Sequence, residues 1–339
     1  MPVTHAQAIL NGERLALSRA LTQVENNTAE GLEILKALFP HTGSAHLIGV
    51  TGAPGTGKST LVNQLALTYR QSIAGSAPPR VAIVAVDPTS PFSGGALLGD
   101  RVRMQDLAGD PGIFIRSMAS RGSLGGLAAA TAGLVQVFDA AGFEIVIIET
   151  VGAGQAEVNI AKLAHSTIVI EAPGLGDEIQ TIKAGILEIA DILVVNKSDR
   201  PDAENTLRGL RNMLSLAHPD GDQVNHHGQL MELDAESDRT ENGWIPHVLP
   251  TIATSGEGIP DLVNSLTAHY DYLKSSGIWQ VREEKRLKNQ LETLLGTALR
   301  SRWEKRISPD IYQAALAQVI KRELSPWRAV EELILGAGL

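Results

Sequence analysis

Short apolar runs recur along the chain, and their spacing constrains the fold more than any other feature. They are LIGVTG (47–52), VAIVAVD (81–87), FIRS (114–117), IVIIET (145–150), TIVIEA (167–172), ILVVNK (192–197) and HVLPTIA (247–253). Most are continuous rather than alternating, as in strands that are buried on both faces. Because helical patterns such as KSTLVNQLALTYRQ lie between several of them, the sequence predicts an α/β fold with a doubly wound, mostly parallel sheet. Such sheets bind ligands at the carboxyl ends of their strands.

The composition narrows the class of protein. The chain has 339 residues and a net charge of −9, from 29 Lys and Arg against 38 Asp and Glu. This balance argues against nonspecific binding of nucleic acid or of an anionic membrane, both of which need a basic surface. There is no cysteine, so disulfides and thiolate metal sites are excluded. No apolar run reaches 18 residues, and Glu13 and Arg14 lie where a signal peptide would be apolar. We therefore expect a soluble cytoplasmic protein with no nucleic-acid or membrane partner.

The two ends of the chain predict helical extensions. Residues 4–40 predict short amphipathic helices, with Leu17, Leu21 and Val24 on one face. Residues 279–306 predict a long charged helix with an apolar stripe of Leu287, Leu291, Leu294 and Trp303. Ser308-Pro309 and Ser325-Pro326 predict two further helix starts. The expected organisation is an N-terminal helical extension (1–43), a central domain (44–276) and a C-terminal helical arm (277–339).

Two further features allow more than one interpretation. The C-terminal stripe fits packing on the chain's own core or on a second subunit, and we favour a dimer arm. The polar, acidic segment 218–243 predicts a solvated loop. His226 and His227 within it are weak candidates for metal ligands, because sequence neighbours rarely converge on one ion.

A phosphate-binding motif follows the first strand. GAPGTGKST (52–60) matches G-x-x-x-x-G-K-[ST] and opens a predicted helix, as the motif requires. Its glycines let backbone N–H groups wrap phosphates, Lys58 neutralises β/γ-phosphate charge, and the Ser59 hydroxyl reaches Mg²⁺. The alternative is a chance glycine-rich turn. The predicted phosphate-binding residues are Gly52, Ala53, Pro54, Gly55, Thr56, Gly57, Lys58, Ser59 and Thr60.

A second motif selects the base. Asn196, Lys197 and Asp199 in NKSD follow the strand at 192–197. A carboxylate there accepts from guanine N1–H and the 2-amino group together, whereas adenine lacks the 2-amino donor. Asn-x-x-Asp is also common turn chemistry, but after a P-loop it predicts guanine recognition. Ala253 and Thr254 offer backbone amides for guanine O6, although IATSGEG (252–258) fits a plain glycine turn equally well.

The run at 145–150 ends on a carboxylate followed by ETVG (149–152). P-loop proteins hold Mg²⁺ partly through an acidic residue at a neighbouring strand end, which GTPases follow with Gly. We therefore predict Glu149 as a magnesium ligand, directly or through water, and the Gly152 N–H as a γ-phosphate contact. The alternative is a carboxylate satisfied at a strand terminus. Gln155 is the candidate to orient the attacking water, but Ala153 directly follows Gly152 and Gln155 comes two positions later, so we expect slow hydrolysis by the free protein.

A third acidic strand end precedes a predicted switch loop. Asp87 opens VDPTSPFSGGALLGDRVRM, which is rich in Pro, Ser and Gly and reaches Asp100, Arg101 and Arg103. Two Asp and two Arg residues beside a phosphate site indicate a nucleotide-sensing switch, and an ordinary solvated loop is the alternative.

Together these motifs resemble the MeaB/MMAA/ArgK family. The matching stretches are GAPGTGKST, VDPTSPFSGGALLGDRVRM, FIRSMASRGSLGG, ETVGAGQAEV, PGLGDEIQTIKAGILEIADILVVNKSD and SGEGI. Members of that family are P-loop GTPases that assist adenosylcobalamin-dependent acyl-CoA mutases such as methylmalonyl-CoA mutase. The resemblance covers residues 47–276 closely and the helical ends loosely. It implies a homodimer in which GTP hydrolysis gates cofactor delivery to the mutase and removal of damaged cofactor.

The resemblance also implies roles for particular residues. Asp87, Asp100 and Glu149 resemble magnesium-site residues alongside Ser59, and Lys58, Asp100, Glu149 and Gln155 are the implied catalytic set. PGLGDEIQTIK (173–183) resembles a third switch, which relays nucleotide state to the partner through Asp177, Glu178, Gln180 and Lys183. Asp177 fits a helix cap equally well. One departure is Ile252, where the family often has Ser, so a side-chain contact to guanine is lost there.

Three functions compete at this point. The first is a GTPase chaperone for a cobalamin-dependent acyl-CoA mutase, with GTP or GDP and Mg²⁺ as its ligands. The second is a GTPase that inserts a metal, which would call for a His-rich tract or a cysteine site. The third is a nucleotide-dependent scaffold or partitioning ATPase, which Asp199 disfavours. The sequence leaves open which mutase would be served.

Overall fold

The computed structural model describes residues 2–71, 77–88, 105–107, 109–120, 124–150, 160–174, 189–217 and 243–336. Its strands are β1 (His46–Gly52), β2 (Val81–Pro88), β3 (Ile113–Ser120), β4 (Ile145–Thr150), β5 (Ser166–Glu171), β6 (Ile192–Asn196) and β7 (His247–Thr251). Its helices are α1 (Pro2–Leu10), α2 (Arg14–Glu25), α3 (Ala29–Leu38), α4 (Lys58–Arg70), α5 (Leu124–Ala140), α6 (Ala203–Ala217), α7 (Ile259–Ser275), α8 (Ile278–Arg306), α9 (Pro309–Ile320) and α10 (Pro326–Gly336). Short 3₁₀ helices cover Phe39–His41 and Gln105–Leu107.

The seven strands form one parallel sheet in the order β3-β2-β4-β1-β5-β6-β7. The predicted fold class is confirmed, and each apolar run overlaps one strand, although the bounds of most strands differ by a few residues. The P-loop strand β1 lies in the middle, between β4 and β5. Because all strands are parallel, their carboxyl ends meet at one edge, where the P-loop and the end of β6 both lie. The sheet order changes direction at β1, and such switch points are where these folds bind ligands.

The sheet is covered on both faces. Leu61 and Leu65 of α4 pack with Ile83 and Ile147 on one face, in a core that also includes residues of α7. On the other face, Val84 and Ile148 pack with α5 and the N-terminal helices. The strands are therefore buried on both sides, which explains why their sequences are continuously apolar.

The N-terminal helices are part of that second core. Leu17, Leu21 and Val24 are buried, as the predicted amphipathic face requires. At the edge strand β3, the Arg14 guanidinium donates to the carbonyls of Pro111 (3.2 Å) and Ile113 (3.0 Å). The three helices therefore cover one face of the sheet and reach its edge.

The junction between these helices and β1 is held by one carboxylate. The backbone amides of Gly43, Ser44 and Ala45 donate to the Asp139 carboxylate of α5 at 2.6, 3.2 and 3.0 Å. Three consecutive amides on one carboxylate fix the entry into β1, at the predicted boundary between residues 43 and 44.

A buried polar network lies at the amino edge of the sheet, opposite the P-loop. His46 Nε2 lies 2.6 Å from Ser166 Oγ, and Ser166 Oγ lies 2.8 Å from His269 Nδ1. Burial lowers the pKa of His46 well below its usual value, and the neighbouring His165 and His269 lower it further. Burial alone would raise the pKa of Asp191, but its contacts with His269 and Arg282 lower it below its usual value. The edge therefore favours the neutral form of His46 and the ionised form of Asp191.

The chain divides into two compact units, Met1–Arg286 and Leu287–Leu339, and α8 runs through the boundary. In the first unit, the Arg286 guanidinium donates twice to the Glu283 carboxylate at 2.8 Å, and Glu283 lies 2.5 Å from His165 Nε2. The first two turns of α8 are therefore fastened to the sheet. The three-part division at residues 43 and 276 stays a prediction.

The second unit is a set of helices. The Trp303 indole N–H donates to the Leu333 carbonyl at 3.3 Å, which joins α8 to α10. Ser308 and Ser325 cap α9 and α10, with Pro at the first helical position of each, as the sequence predicted. In the described part of the chain, no helix is both long enough and apolar enough to cross a membrane.

Candidate nucleotide-binding site

The loop between β1 and α4 has a backbone that its glycines alone permit. Gly52 has φ of 143°, and a Cβ there would lie 2.1 Å from the Ile170 carbonyl oxygen of β5. Gly57 has φ of 95°, and a Cβ there would lie 2.5 Å from Asn196 Nδ2. Both glycines of the motif are therefore required by backbone conformation and by close neighbours. This is the local geometry that the phosphate-binding motif predicts.

Two lysines contact the carbonyls of this loop. Lys58 Nζ donates to Gly52 O at 2.9 Å and to Ala53 O at 3.0 Å, and the residue is buried. Lys197 Nζ, from the base motif, donates to Gly55 O at 2.5 Å. Two ammonium groups thus lie beside a loop at a helix N-terminus, which is a favourable setting for an anionic phosphate chain.

The structure joins two of the predicted magnesium residues. Ser59 Oγ, in the first turn of α4, donates to Glu149 Oε1 at 2.6 Å. Glu149 is buried at the carboxyl end of β4, with an exposed fraction of 4%. A hydroxyl and a carboxylate are hard oxygen ligands, so this pair fits Mg²⁺. Asp87 is the second-to-last residue of β2, so its backbone lies at the same edge of the sheet. Its side chain lies outside the described residues.

The base motif is bonded to the P-loop through Asn196. Its Nδ2 donates to the Thr56 carbonyl at 2.7 Å, across 140 residues of sequence. Its Oδ1 accepts from Ala253 N at 3.0 Å and from Thr251 Oγ1 at 3.2 Å. Asn196 therefore joins the P-loop, the end of β6 and the end of β7 in one buried contact.

The two residues whose backbone amides are predicted to contact guanine, Ala253 and Thr254, differ in burial. The Ala253 amide donates to Asn196, and the residue is buried, whereas Thr254 is exposed. Asp199 is also exposed, on the same edge as Asn196. The loop that follows β7 closes on itself, because Ile252 and Glu257 form an antiparallel bridge and Gly258 has φ of 76°. The predicted roles of Asp199, Ala253 and Thr254 toward guanine stay predictions.

Sequence reasoning missed the bridging partners of Asn196. Thr251 ends β7 directly before the predicted guanine loop, and its hydroxyl completes the contact. A signal existed in the Thr at the end of an apolar run, but pairing it with Asn196 requires knowing that β6 and β7 are neighbours.

Several predicted residues lie outside the described residues. They are Asp100, Arg101, Arg103, Gly152, Gln155, Asp177, Glu178, Gln180 and Lys183. Their roles as catalytic or switch residues stay predictions. Among the described residues, no group of three or more His, Cys, Asp or Glu side chains is placed to hold a metal ion.

Comparison with a protein-family model gives a match over most of the chain. The model is described as "Methylmalonyl Co-A mutase-associated GTPase MeaB", and it matches residues 17–307. This range includes the P-loop, the Ser59–Glu149 pair and the base motif.

Curated proteins with similar sequences carry related names. A putative GTPase of Pyrococcus abyssi is 41% identical over 332 residues, which is 97% of this chain and 95% of that protein. The GTPase ArgK of Escherichia coli is 35% identical over 279 residues, covering 80% and 77% of the two chains. A protein of Caenorhabditis elegans named "Methylmalonic aciduria type A homolog, mitochondrial" is 30% identical over 299 residues, covering 83% and 69%.

A solved structure has the same fold. The crystal structure of a protein titled LAO/AO transport system kinase superposes with a TM-score of 0.69 at 26% identity. The match covers 98% of this chain and 96% of that one. The similarity therefore extends from the central sheet to both helical ends.

Proposed function

Because the chain belongs to the family of methylmalonyl-CoA mutase-associated GTPases called MeaB, we propose that its GTP hydrolysis controls a cobalamin-dependent acyl-CoA mutase. The resemblance of the motifs to this family is confirmed, and the chain is a P-loop GTPase that binds guanine nucleotide. Our proposal concerns the purpose of that activity: adenosylcobalamin loading, protection or reactivation of the mutase. The family description and the name of the Caenorhabditis elegans relative support it.

One contact carries the proposal of a nucleotide-controlled site. Asn196 bonds the P-loop at Thr56 and, at Ala253, the loop 252–258 that is proposed to contact guanine and is called the guanine-side loop below. Phosphate recognition and base recognition would therefore share one buried side chain. A movement of either loop would therefore shift Asn196 and, through it, the other loop. This is the arrangement that a protein needs if the whole nucleotide, rather than phosphate alone, sets its state.

The described residues divide the work of binding and hydrolysis. The P-loop amides would wrap the β/γ-phosphates, and Lys58 would turn from the loop carbonyls to phosphate oxygens. Ser59 and Glu149 would hold Mg²⁺, which supplies neutralisation of phosphate charge when bound. Asp199 would accept from guanine N1–H and the 2-amino group.

The mutase is proposed to act through two switch segments. The first segment is the loop 87–103, which runs from Asp87 to Arg103. The second is 174–183, which would relay nucleotide state through Asp177, Glu178, Gln180 and Lys183. Phosphoryl transfer depends on positioning and on charge stabilisation, so hydrolysis stays slow until a partner orders these segments.

We also propose that the second compact unit is a homodimer arm. Its helices expose large apolar side chains: Leu291, Leu294, Leu295 and Leu299 of α8, Ile311 and Leu316 of α9, and Trp327 and Leu335 of α10. Trp327 is 82% exposed and Leu335 is 77% exposed. An apolar set of this size marks an interaction surface, and the cyclic symmetry common in homo-oligomers favours a second copy of this chain as its occupant.

The dimer is tested by Leu295→Asp, measured by light scattering after size exclusion. The expected result is a dimer in the wild type and a folded monomer in the variant. Leu216→Asp is the matched control, because Leu216 is an exposed leucine of α6 outside the arm. A wild-type monomer, or a dimer that Leu295→Asp leaves intact, would contradict the proposed arm.

The mutase role is tested by binding of a purified adenosylcobalamin-dependent acyl-CoA mutase in the presence of GDP or a non-hydrolysable GTP analogue. We expect binding whose strength depends on the nucleotide, and Lys183→Ala should weaken that dependence. Lys36→Ala is the control, because Lys36 is an exposed lysine of α3 paired with Glu33. The same weak signal with either nucleotide and for each available mutase would count against the proposal.

A further inference from the structure

One flank of the P-loop helix faces the β2 and β3 side of the sheet. Ser59, near the start of α4, contacts Glu149 of β4. At the other end, the Arg70 guanidinium donates to the Asp110 carboxylate at 2.8 and 2.9 Å, just before β3, and also to the carbonyls of Pro78 and Pro79, just before β2. These contacts fix which side of the helix looks toward those strands.

Asn63 lies on this flank. It follows Ser59 by four residues and precedes Arg70 by seven, so the three side chains leave the helix within about 40° of one another. Asn63 is buried, with an exposed fraction of 6%. Its amide therefore faces β2 and β3, one helical turn below the Ser59–Glu149 contact.

Opposite this flank of α4, a row of residues from β3, β2 and β4 lies on the face of the sheet that α4 covers. Ser117 of β3 is in register with Ala85 of β2, and Ala85 is in register with Glu149 of β4. Side chains alternate along strands, and Ile83 and Ile113, two and four residues earlier, belong to the core on the face that α4 covers. Ser117, Ala85 and Glu149 therefore point toward α4, with the small Ala85 between the two polar groups.

On α4 and on the sheet face that α4 covers, two polar atoms are buried without a hydrogen-bond partner among the residues that the structure describes. They are Asn63 Oδ1 and Ser117 Oγ. Buried polar atoms in native proteins are almost always bonded, so each such atom calls for a water, an ion or a ligand. An amide oxygen only accepts hydrogen bonds, so its missing partner is a donor.

We propose that Asn63 and Ser117 hold the outer hydration of the magnesium ion that Ser59 and Glu149 bind. Mg²⁺ keeps several of its waters in proteins, and metal-bound waters are donors that match the Asn63 oxygen. Asn63 is then a positioning residue that acts through water on the ion and on Glu149. This inference rests on the proposed Mg²⁺-dependent GTPase site and adds its inner polar wall.

The test is the affinity of the nucleotide complex for Mg²⁺. It is measured from the release rate of a fluorescent GDP analogue as free Mg²⁺ is lowered with EDTA. Asn63→Leu keeps the branching at Cγ, with two larger methyl groups, and removes the acceptor. We expect Mg²⁺ to bind about 10-fold more weakly, as is typical when an outer-shell partner of a metal is lost. Release of the analogue in excess EDTA should not change.

A second readout separates this role from a merely structural one. If Asn63 only fills space, Asn63→Leu raises the stability of the metal-free protein and leaves Mg²⁺ affinity unchanged, which would overturn the proposal. If Asn63 acts on the ion, stability without metal stays equal or rises while Mg²⁺ affinity falls. Thr68→Val is the matched control on α4, because the Thr68 hydroxyl donates within the helix, to Gln64 O.

Two further variants complete the design. Ser117→Ala should weaken Mg²⁺ binding in the same direction, and it carries the test if Asn63→Leu does not fold; unchanged affinity in that variant would also overturn the proposal. Combined with Glu149→Gln, Asn63→Leu should add little further loss, because coupled residues are not additive. A wild-type protein whose guanine nucleotide binding ignores Mg²⁺ would instead remove the proposed metal site itself.

Discussion

Replacing Asn196 by Ala should destabilise the protein far more than the loss of one polar side chain would at the surface. The side chain is buried, with an exposed fraction of 2%, and it makes three hydrogen bonds. After the change, the carbonyl of buried Thr56 and the amide of buried Ala253 lose their partner. The Thr251 hydroxyl can rotate toward another acceptor, so its lost bond adds less to the destabilisation.

The magnitude follows from the two stranded backbone groups. Each buried group left unsatisfied costs about 1–3 kcal/mol, which gives about 2–6 kcal/mol for the pair. The space left by the amide is large enough for a water that satisfies part of the loss, so we expect the lower half of the range, about 2–4 kcal/mol. Affinity for GTP and GDP should fall as well, because the P-loop and the guanine-side loop are no longer joined.

The assay is urea unfolding followed by circular dichroism, without nucleotide, on wild type and variant. A shifted midpoint with an unchanged slope reports a change in stability. Asn205→Ala is the matched control, because Asn205 is an exposed asparagine of α6 bonded to Asp202 at 3.2 Å, and its replacement should change stability by less than about 0.5 kcal/mol. If Asn196→Ala shifts the midpoint no more than this control does, Asn196 is not the bridge described above.

Three other predictions concern the base, the metal and pH. Asp199→Asn should weaken the binding of GTP by about 1.5–3 kcal/mol and favour the binding of xanthosine triphosphate, because the amide donates where the carboxylate accepted. Equal affinity for GTP in wild type and variant would remove Asp199 from the site. Glu149→Gln should lower Mg²⁺-dependent hydrolysis about 100-fold, equal to about 2.7 kcal/mol of barrier, with nucleotide affinity in EDTA unchanged; normal hydrolysis would leave Glu149 a strand-end carboxylate. Because folding lowers the pKa of His46, the unfolded state binds more protons near pH 6.5, so stability is full above that pH and falls as pH drops below it. His46→Gln should flatten that fall in urea unfolding between pH 7 and pH 5, and an unchanged slope would contradict the assignment.

The sequence predicts the sheet well because parallel strands covered on both faces must be apolar throughout. IVIIET (145–150) coincides with β4 for this reason. The run at 114–117 gives too short a strand, since β3 extends over Ile113–Ser120. The extra residues carry no strong strand pattern and are held by pairing with β2 up to Pro88 and Ser120. Such pairing between strands is not visible in either segment alone.

The packing of the N-terminal helices could not be predicted from their own periodicity. Leu17, Leu21 and Val24 mark an apolar face, but the sequence does not say what covers it. In the structure that partner is α5, where Gly133 lets Val24 approach so closely that a Cβ would lie 2.7 Å from Val24 Cγ1. The complementarity depends on two surfaces that are about 100 residues apart in the chain.

The candidate site shows the same division. The residue types at strand ends indicate phosphate, guanine and metal chemistry, and the structure brings Ser59 to Glu149. It also shows Asn196 as a bridge, since its partners belong to loops after β1 and β7, whereas its contact with the base stays a prediction. Asn63 and Ser117 have no motif at all, because their significance depends on the register of β2, β3 and β4 beneath α4.

The central claim is that GTP hydrolysis by this chain is coupled to a cobalamin-dependent acyl-CoA mutase. The most direct measurement is steady-state GTP hydrolysis with and without such a mutase, at saturating GTP and Mg²⁺. We predict slow hydrolysis alone and an acceleration of about 10–100-fold by a cognate mutase, equal to about 1.4–2.7 kcal/mol of barrier, because the partner only orders residues that the chain already has. Fast hydrolysis by the isolated protein that no such mutase changes would contradict the coupling and leave the GTPase site intact.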